Sequence, residues 1–592
     1  MRTIFINTII IMVFGVNIFA QTPNYNIIIT PATGNDTVIM PLLGVISGPL
    51  PPPSSDLPDI TPQLQDIGVT SIRNNDNRDD KLDMEALFRC DNCFSNPIQN
   101  ATWVPAWCCD PTDPNNLHFE ESDSLFRAIR DGGFKLFFRL GGEANSALSH
   151  QYHFFQGPPD TVAENNWIRA TIPVVEHYDN FEGDSNLLDY LDVWTEWPNP
   201  NFWQRSDSEF IWFFTKALDT LKRHFPDKKI GGPGFLVPTA LVIQGNVHNK
   251  AVDLLTSLYE HNVKPDFISW HLWSIDPYDY YLAGENFRKL LDGTYPFNSV
   301  PWAGTNFFEG VEIICGAWGT PKINLSAEEQ DLLYNRQKGA ALLTADWIAM
   351  QETNTTRAFY YRCADVPLSV QDSTIEPGSG IFYGDSNVTY KPKAYAFKQW
   401  SRLYNEFPKK LSTDFPVVAN DSSKLWVLAA KNSQDAYGIL IANIDSINKT
   451  FTVNISGITI DTSNFDIYYY MVNDNENGSE SYLSDDNNFD IPLQTVMLIR
   501  ILPKGYSYVE EVAEIKTVKI FPNPSTGIIY LKNIKGYKIQ IMDITGKIVC
   551  QFPEINEELK EIDLSKLTPG VYFVKCYNKN LNHLQSKKII IY

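Results

Sequence analysis

Between Val38 and Tyr404, eight short apolar runs alternate with helix-length amphipathic stretches, and this alternation limits the fold more than any other feature of the chain. The runs are Val38–Val45, Ser71–Asn74, Lys135–Leu140, Tyr190–Trp194, Lys229–Gly232, Phe267–His271, Val311–Cys315 and Arg357–Tyr361. Strands separated by helices pair in parallel through crossovers, not as hairpins. Eight of them predict an α/β fold, a closed TIM (β/α)8 barrel over residues 38–404. The helices are equally legible. Asp207–Phe225 sets Phe210, Phe213, Phe214, Leu218 and Leu221 at helical spacing. Ser122–Gly132 leads into the third strand, and Lys393–Leu403 closes the ring. Ser326–Met350 opens with a capping box, Ser326 and Glu329.

After residue 404 the texture changes. Lys424–Ala430, Tyr437–Asn443, Lys449–Ile455, Phe465–Met471 and Gln494–Ile501 are short strand-like runs between Asn, Asp and Gly turns. They predict an all-β sandwich over 405–503. A linker follows at 504–516, then a small all-β module at 517–592. In that last stretch lysines outnumber Asp plus Glu, although the whole chain carries a net charge of −22. That negative balance excludes a broad nucleic-acid-binding face. At the other end, Met1–Arg2 is basic, Ile4–Phe19 is apolar and Ala20–Gln21 is a cleavable junction. This reads as a signal peptide over 1–20, too short to favour a stable membrane span. Residues 21–37 contain a strand, Tyr25–Thr30. Export fits the eight cysteines. Cys90, Cys93, Cys108 and Cys109 cluster in one loop, where disulfides are favoured over zinc.

The stretch Leu191-Asp-Val-Trp-Thr-Glu-Trp-Pro-Asn199 ends a strand in a carboxylate. It resembles the acid/base strand of retaining barrel glycosidases. Together with Gly68–Arg73, Phe134–Arg139, Phe225–Pro233 and Phe267–His271, it makes the barrel similar to glycoside hydrolase family 39. The resemblance implies that the strand at 21–37 joins the sandwich. The tail motifs Val518–Gly527, Ile539–Lys547, Leu567–Val574 and Lys587–Tyr592 resemble the type A sorting domain of the Bacteroidetes type IX secretion system. That implies a secreted or cell-surface protein whose partners are the secretion machinery, through residues 517–592, and a glycan. No cofactor or metal is expected.

Retaining glycosidases need two carboxylates about 5–5.5 Å apart. The resemblance places the acid/base on Glu196, preceded by Thr195 where relatives carry Asn. The nucleophile position falls on Ala317, which has no chemistry. Glu312 lies five residues earlier, about 16 Å back at roughly 3.3 Å per residue, at the opposite mouth. Three readings follow. A second carboxylate, Glu143, Asp365, Asp276 or Asp76, serves an inverting mechanism. Or the barrel binds glycan without catalysis. Or strand seven is in another register. The leading reading is hydrolysis of O-glycosidic bonds with Glu196 as general acid/base; the alternatives are an inactive carbohydrate-binding barrel or a surface adhesin. Arg73, Arg139 and Arg362 end strands and suit an anionic sugar. His271 is a candidate partner of substrate or of Glu196. Trp194, Trp197, Trp273, Trp318 and Tyr361 are candidate sugar platforms, and Asp76 and Thr195 candidate sugar contacts. Cys315 and Cys363 are either bonded to each other or packed as small apolar groups. The loop Gly304–Gly310 and the four-cysteine loop are candidate plugs of the cleft.

Overall fold

The computed structural model describes residues 24–30, 37–51, 57–74, 83–88, 109–141, 158, 160–183, 187–237, 249–321, 325–365, 378–483, 487–506 and 518–592, apart from 533, 536, 545–546, 554, 556, 558 and 579–582. The signal peptide, Asp76, Glu143, Cys90, Cys93 and Cys108 lie outside them. Two compact units divide at Tyr506 and Ser507.

In the first unit, β1 (Asn24–Thr30) precedes a closed parallel barrel of β2 (Gly44–Ile46), β3 (Ser71–Arg73), β4 (Lys135–Leu140), β5 (Leu188–Val193), β6 (Lys229–Leu236), β7 (Phe267–Trp273), β8 (Glu312–Gly319) and β9 (Thr355–Tyr360). The (β/α)8 barrel is the expected fold. Its first strand is shorter than expected: Val38 instead bridges Lys409, and Ile39 donates to the Pro408 carbonyl. Pro41 lies between and offers no N–H. The expected helix Ser326–Met350 is two helices, Ala327–Tyr334 and Gln337–Gln351. The capping box at Ser326 is present, but the chain breaks at Asn335 and Arg336, both held by Asp331. The first helix is half exposed, and the second is buried on nearly every face. One straight helix could not satisfy both environments.

That buried helix lies between the barrel and a nine-stranded sheet, packed on Tyr437–Asn443 and Thr495–Pro503 together with Pro392–Glu406. β1 is an internal strand of this sheet, parallel to Lys449–Ile455 and antiparallel to Lys409–Thr413. Ile27, Ile439, Val453, Ile467 and Phe489 share one core, so the sheet folds over itself as a two-layered sandwich. The second unit sets a three-stranded sheet and a four-stranded sheet around Ile529, Leu531, Ile541, Val574 and Ile589.

Alternation along the barrel strands sends every second side chain into the lumen. Ile46, Phe137, Tyr190, Phe267, Ile314 and Phe359 fill its middle. Two residues further along, Arg73, Arg139, Asp192 and Ser269 form a buried polar layer. At the N-terminal mouth Glu312 pairs with Lys229 and accepts from Tyr190 Oη at 2.9 Å. It is thus remote from the strand tips that build barrel sites.

Candidate active site

Glu196 follows β5 at the C-terminal mouth. The chain leaves the strand through two residues with positive φ, Trp194 at 74° and Glu196 at 49°. Non-glycine residues in this region are strained, and such strain clusters at functional sites. Pro198 then turns the chain so that Asn199 N donates to the Glu196 carbonyl at 2.7 Å.

The carboxylate is held from two sides. His271 Nδ1 lies 3.2 Å from Oε1, and Asn199 Nδ2 donates to Oε2 at 3.1 Å. Burial pushes the Glu196 carboxyl up. The His271 and Asn199 hydrogen bonds, with the Arg73 charge behind, outweigh that and hold it below the ordinary glutamate range. Burial also pushes His271 down, against the pull of Glu196. The pair is therefore a carboxylate and a neutral imidazole at pH 7, with the ring proton on Nδ1. Asn199 was not among the expected residues; its spacing three positions after Glu196 across a proline turn was the available signal.

Beneath this pair, Arg73 donates from Nε and Nη2 to Asp192 Oδ2 at 3.2 and 2.8 Å, and both side chains are fully buried. Ser269 Oγ donates to Asp192 Oδ1 at 2.7 Å and accepts from Gly234 N at 2.7 Å. Arg139 pairs with Asp83 at 2.6 Å and exchanges hydrogen bonds with Asn74. Arg362 is buried, its guanidinium 5.9 Å from the Tyr361 ring centre. Arg73 and Arg139 thus have carboxylate partners within the fold.

On β8, Cys315 pairs with Trp270 and Ala317 with His271, so Gly316 is an extra residue in the ladder. The bulge resets the alternation. Ala317 faces the lumen beside Trp273 and Tyr361, whereas Trp318 faces outward. No described residue of β8 brings a carboxylate to this mouth. A sugar platform at Trp318 was expected; it is instead buried on Tyr360 and Trp400. Trp194 and Trp197 are corrected in the same way. Trp194 packs on Trp167 and Trp203, and Trp197 stacks on Phe210 with ring centres 4.7 Å apart. Trp273 and Tyr361 are half-buried at the lumen rim, edge to face at 6.4 Å. Thr195 is buried.

Among the described residues, the two other candidate carboxylates are committed elsewhere. Asp365 pairs with Lys391 at 2.7 Å and accepts from Gly380 N at 2.7 Å. Asp276 caps the helix Pro277–Asp292. Cys315 and Cys363 are free and buried, not joined, while Cys109 is disulfide-bonded. The Gly304–Gly310 loop leads into the start of β8, where the Glu309 carbonyl accepts from Lys264. It lies at the N-terminal mouth and cannot plug the cleft.

Among solved structures the fold is similar to a glucosidase from Croceicoccus marinus, with 18% identity, TM-score 0.58, and coverage of 81% of this chain and 99% of that one. A GH39 β-xylosidase from Caulobacter crescentus matches at 14% identity and TM-score 0.53, covering 81% and 99%. The GH39 enzyme from Xanthomonas axonopodis pv. citri matches at 12% and 0.55, covering 83% and 99%. No curated protein sequence matches the chain. Residues 519–592 match the family model of the secretion system C-terminal sorting domain. The chain joins a glycoside-hydrolase-like barrel and sheet to a sorting tail, the arrangement of a secreted or cell-surface protein.

Proposed function

We propose that this protein binds a polysaccharide outside the cell, in the C-terminal mouth of its barrel, without the double displacement of retaining glycosidases. One observation carries the reading: the lumen position registered against His271 is Ala317. A retaining enzyme needs a nucleophile there, and that nucleophile's charge also keeps the acid protonated. Here Glu196 is ionised and hydrogen-bonded, a state suited to accepting hydrogen bonds from sugar hydroxyls. Trp273, its ring centre 6.0 Å from that of His271, and Tyr361 offer aromatic groups at the same rim. The tail at 517–592 would deliver the protein through type IX machinery.

A second reading, hydrolysis by single displacement, is favoured by the strained backbone that holds Glu196 between two donors. It requires a second carboxylate, for which Glu143 and Asp76 are the candidates. The test pairs calorimetric affinity with a mass-spectrometric search for products, across plant and algal polysaccharides. The binding reading expects affinity that weakens in Glu196→Gln and no new oligosaccharide. Product from the parent that falls about 10²- to 10⁴-fold in Glu196→Gln, the usual weight of a general acid/base, establishes hydrolysis instead.

A further inference from the structure

We propose that the lumen beneath Glu196 is an anion pocket for the carboxylate of an acidic sugar, with Arg73 as donor and Ala317 making the room. The proposal rests on the glycan-binding reading and names its ligand class.

Arg73 is the starting point. Two of its N–H groups converge on one oxygen of Asp192, while Nη1 has no hydrogen-bond partner and the side chain is fully buried. An unpaired buried donor is costly, and a charged one more so. The fold tolerates it in a layer that is otherwise paired: Arg139 meets Asp83, and Ser269 bridges Asp192 to Gly234. The Arg73 charge acts on Glu196, on His271 and on Cys315, two residues before Ala317. Its hydrogen bonds to Asp192 on β5, whose other oxygen takes Ser269 on β7, set the guanidinium between these strands, in the layer below Glu196 and His271.

A carboxylate is the group that fits. It accepts a short charge-assisted hydrogen bond from Nη1. The Ala317 methyl is shorter than a glutamate side chain by one methylene and a carboxylate, and the acid group of the sugar would take up that length. A uronic acid carries its carboxylate one carbon off the ring, so the ring can stay at the rim while the acid group descends. The local charges add a condition. Glu196 is faced by Arg73 from β3 and His271 from β7, and Asp192 from β5 acts on His271 and pairs with Arg73. A second anion there disfavours the ionised form of Glu196. Binding then takes up a proton, and affinity rises as pH falls.

The test is calorimetric titration of the full chain with glucuronate and galacturonate oligosaccharides, their neutral glucose and galactose counterparts, and acetate. The expected result is at least tenfold tighter binding of one acidic series than of its neutral counterpart, tighter at pH 5 than at pH 7.5. Acetate alone should bind weakly and compete. Ala317→Glu supplies the carboxylate internally and should abolish the acidic preference while neutral binding persists. Equal affinities for acidic and neutral sugars in the parent protein overturn the proposal without any variant having to fold. An acidic preference that survives in folded Ala317→Glu overturns it as well. If neither acidic nor neutral sugars bind, the glycan reading itself fails; if neutral sugars bind and acidic ones gain nothing, only the anion pocket fails.

Discussion

A Cβ added to Gly316 would meet His271 Nε2 at 3.0 Å, and one on Gly234, already at φ 65°, would meet the same atom at 3.0 Å. The two glycines set where the imidazole lies, and so whether Nδ1 reaches Glu196. Gly316→Ala should push the ring away, costing about 1–3 kcal/mol as overpacking does. With one donor lost and burial unchanged, the Glu196 carboxyl should rise. Denaturant unfolding and carboxyl NMR titration read both effects; an unchanged Glu196 titration would remove His271 from its supposed role. The same pair sets a pH dependence. Glu196 and His271 both titrate below their unfolded values in the folded state, so the unfolded chain binds more protons and stability rises with pH. The His271 contribution is present above about pH 6.5 and lost as pH falls; that of Glu196 is present above about pH 4.3 and lost below it. The unfolding midpoint should decline from near pH 6.5 downwards, and His271→Gln should flatten the upper part of that decline.

The buried Arg73–Asp192 pair ties β3 to β5 across the lumen, and Ser269 extends the tie to β7. Asp192→Ala leaves a guanidinium uncompensated in the core and should cost about 3–5 kcal/mol in urea unfolding. A loss below about 1 kcal/mol would mean that the layer is solvated. The barrel strands were legible because short apolar runs alternating eight times with amphipathic helices have few other readings. Glu196, His271 and Arg73 were legible because strand tips face the mouth. What escaped depended on local breaks in periodicity or on distant partners. By simple alternation from Ile314, Trp318 would face the lumen; one extra residue at Gly316 turns it out and Ala317 in. Positive φ does the same to Trp194. The roles of Arg73 and Arg139 hinge on Asp192 and Asp83, 119 and 56 positions away.

For the molecule as a whole, the barrel is braced rather than free-standing. One helix, Gln337–Gln351, is buried between it and the sheet, and that sheet takes β1 from the other end of the chain as an internal strand. Such a scaffold can hold the C-terminal mouth rigid whether or not chemistry occurs there. The sorting tail adds the destination, and on the proposed reading any glycan bound would be one outside the cell. Release of new reducing ends, followed together with bound fraction over days on acidic and neutral polysaccharides, asks whether the mouth binds sugar and whether it also cuts it. The expected result is saturable binding with no reducing ends above the background without protein. Steady release that Glu196→Gln abolishes would contradict a barrel that holds its sugar without the facing carboxylate.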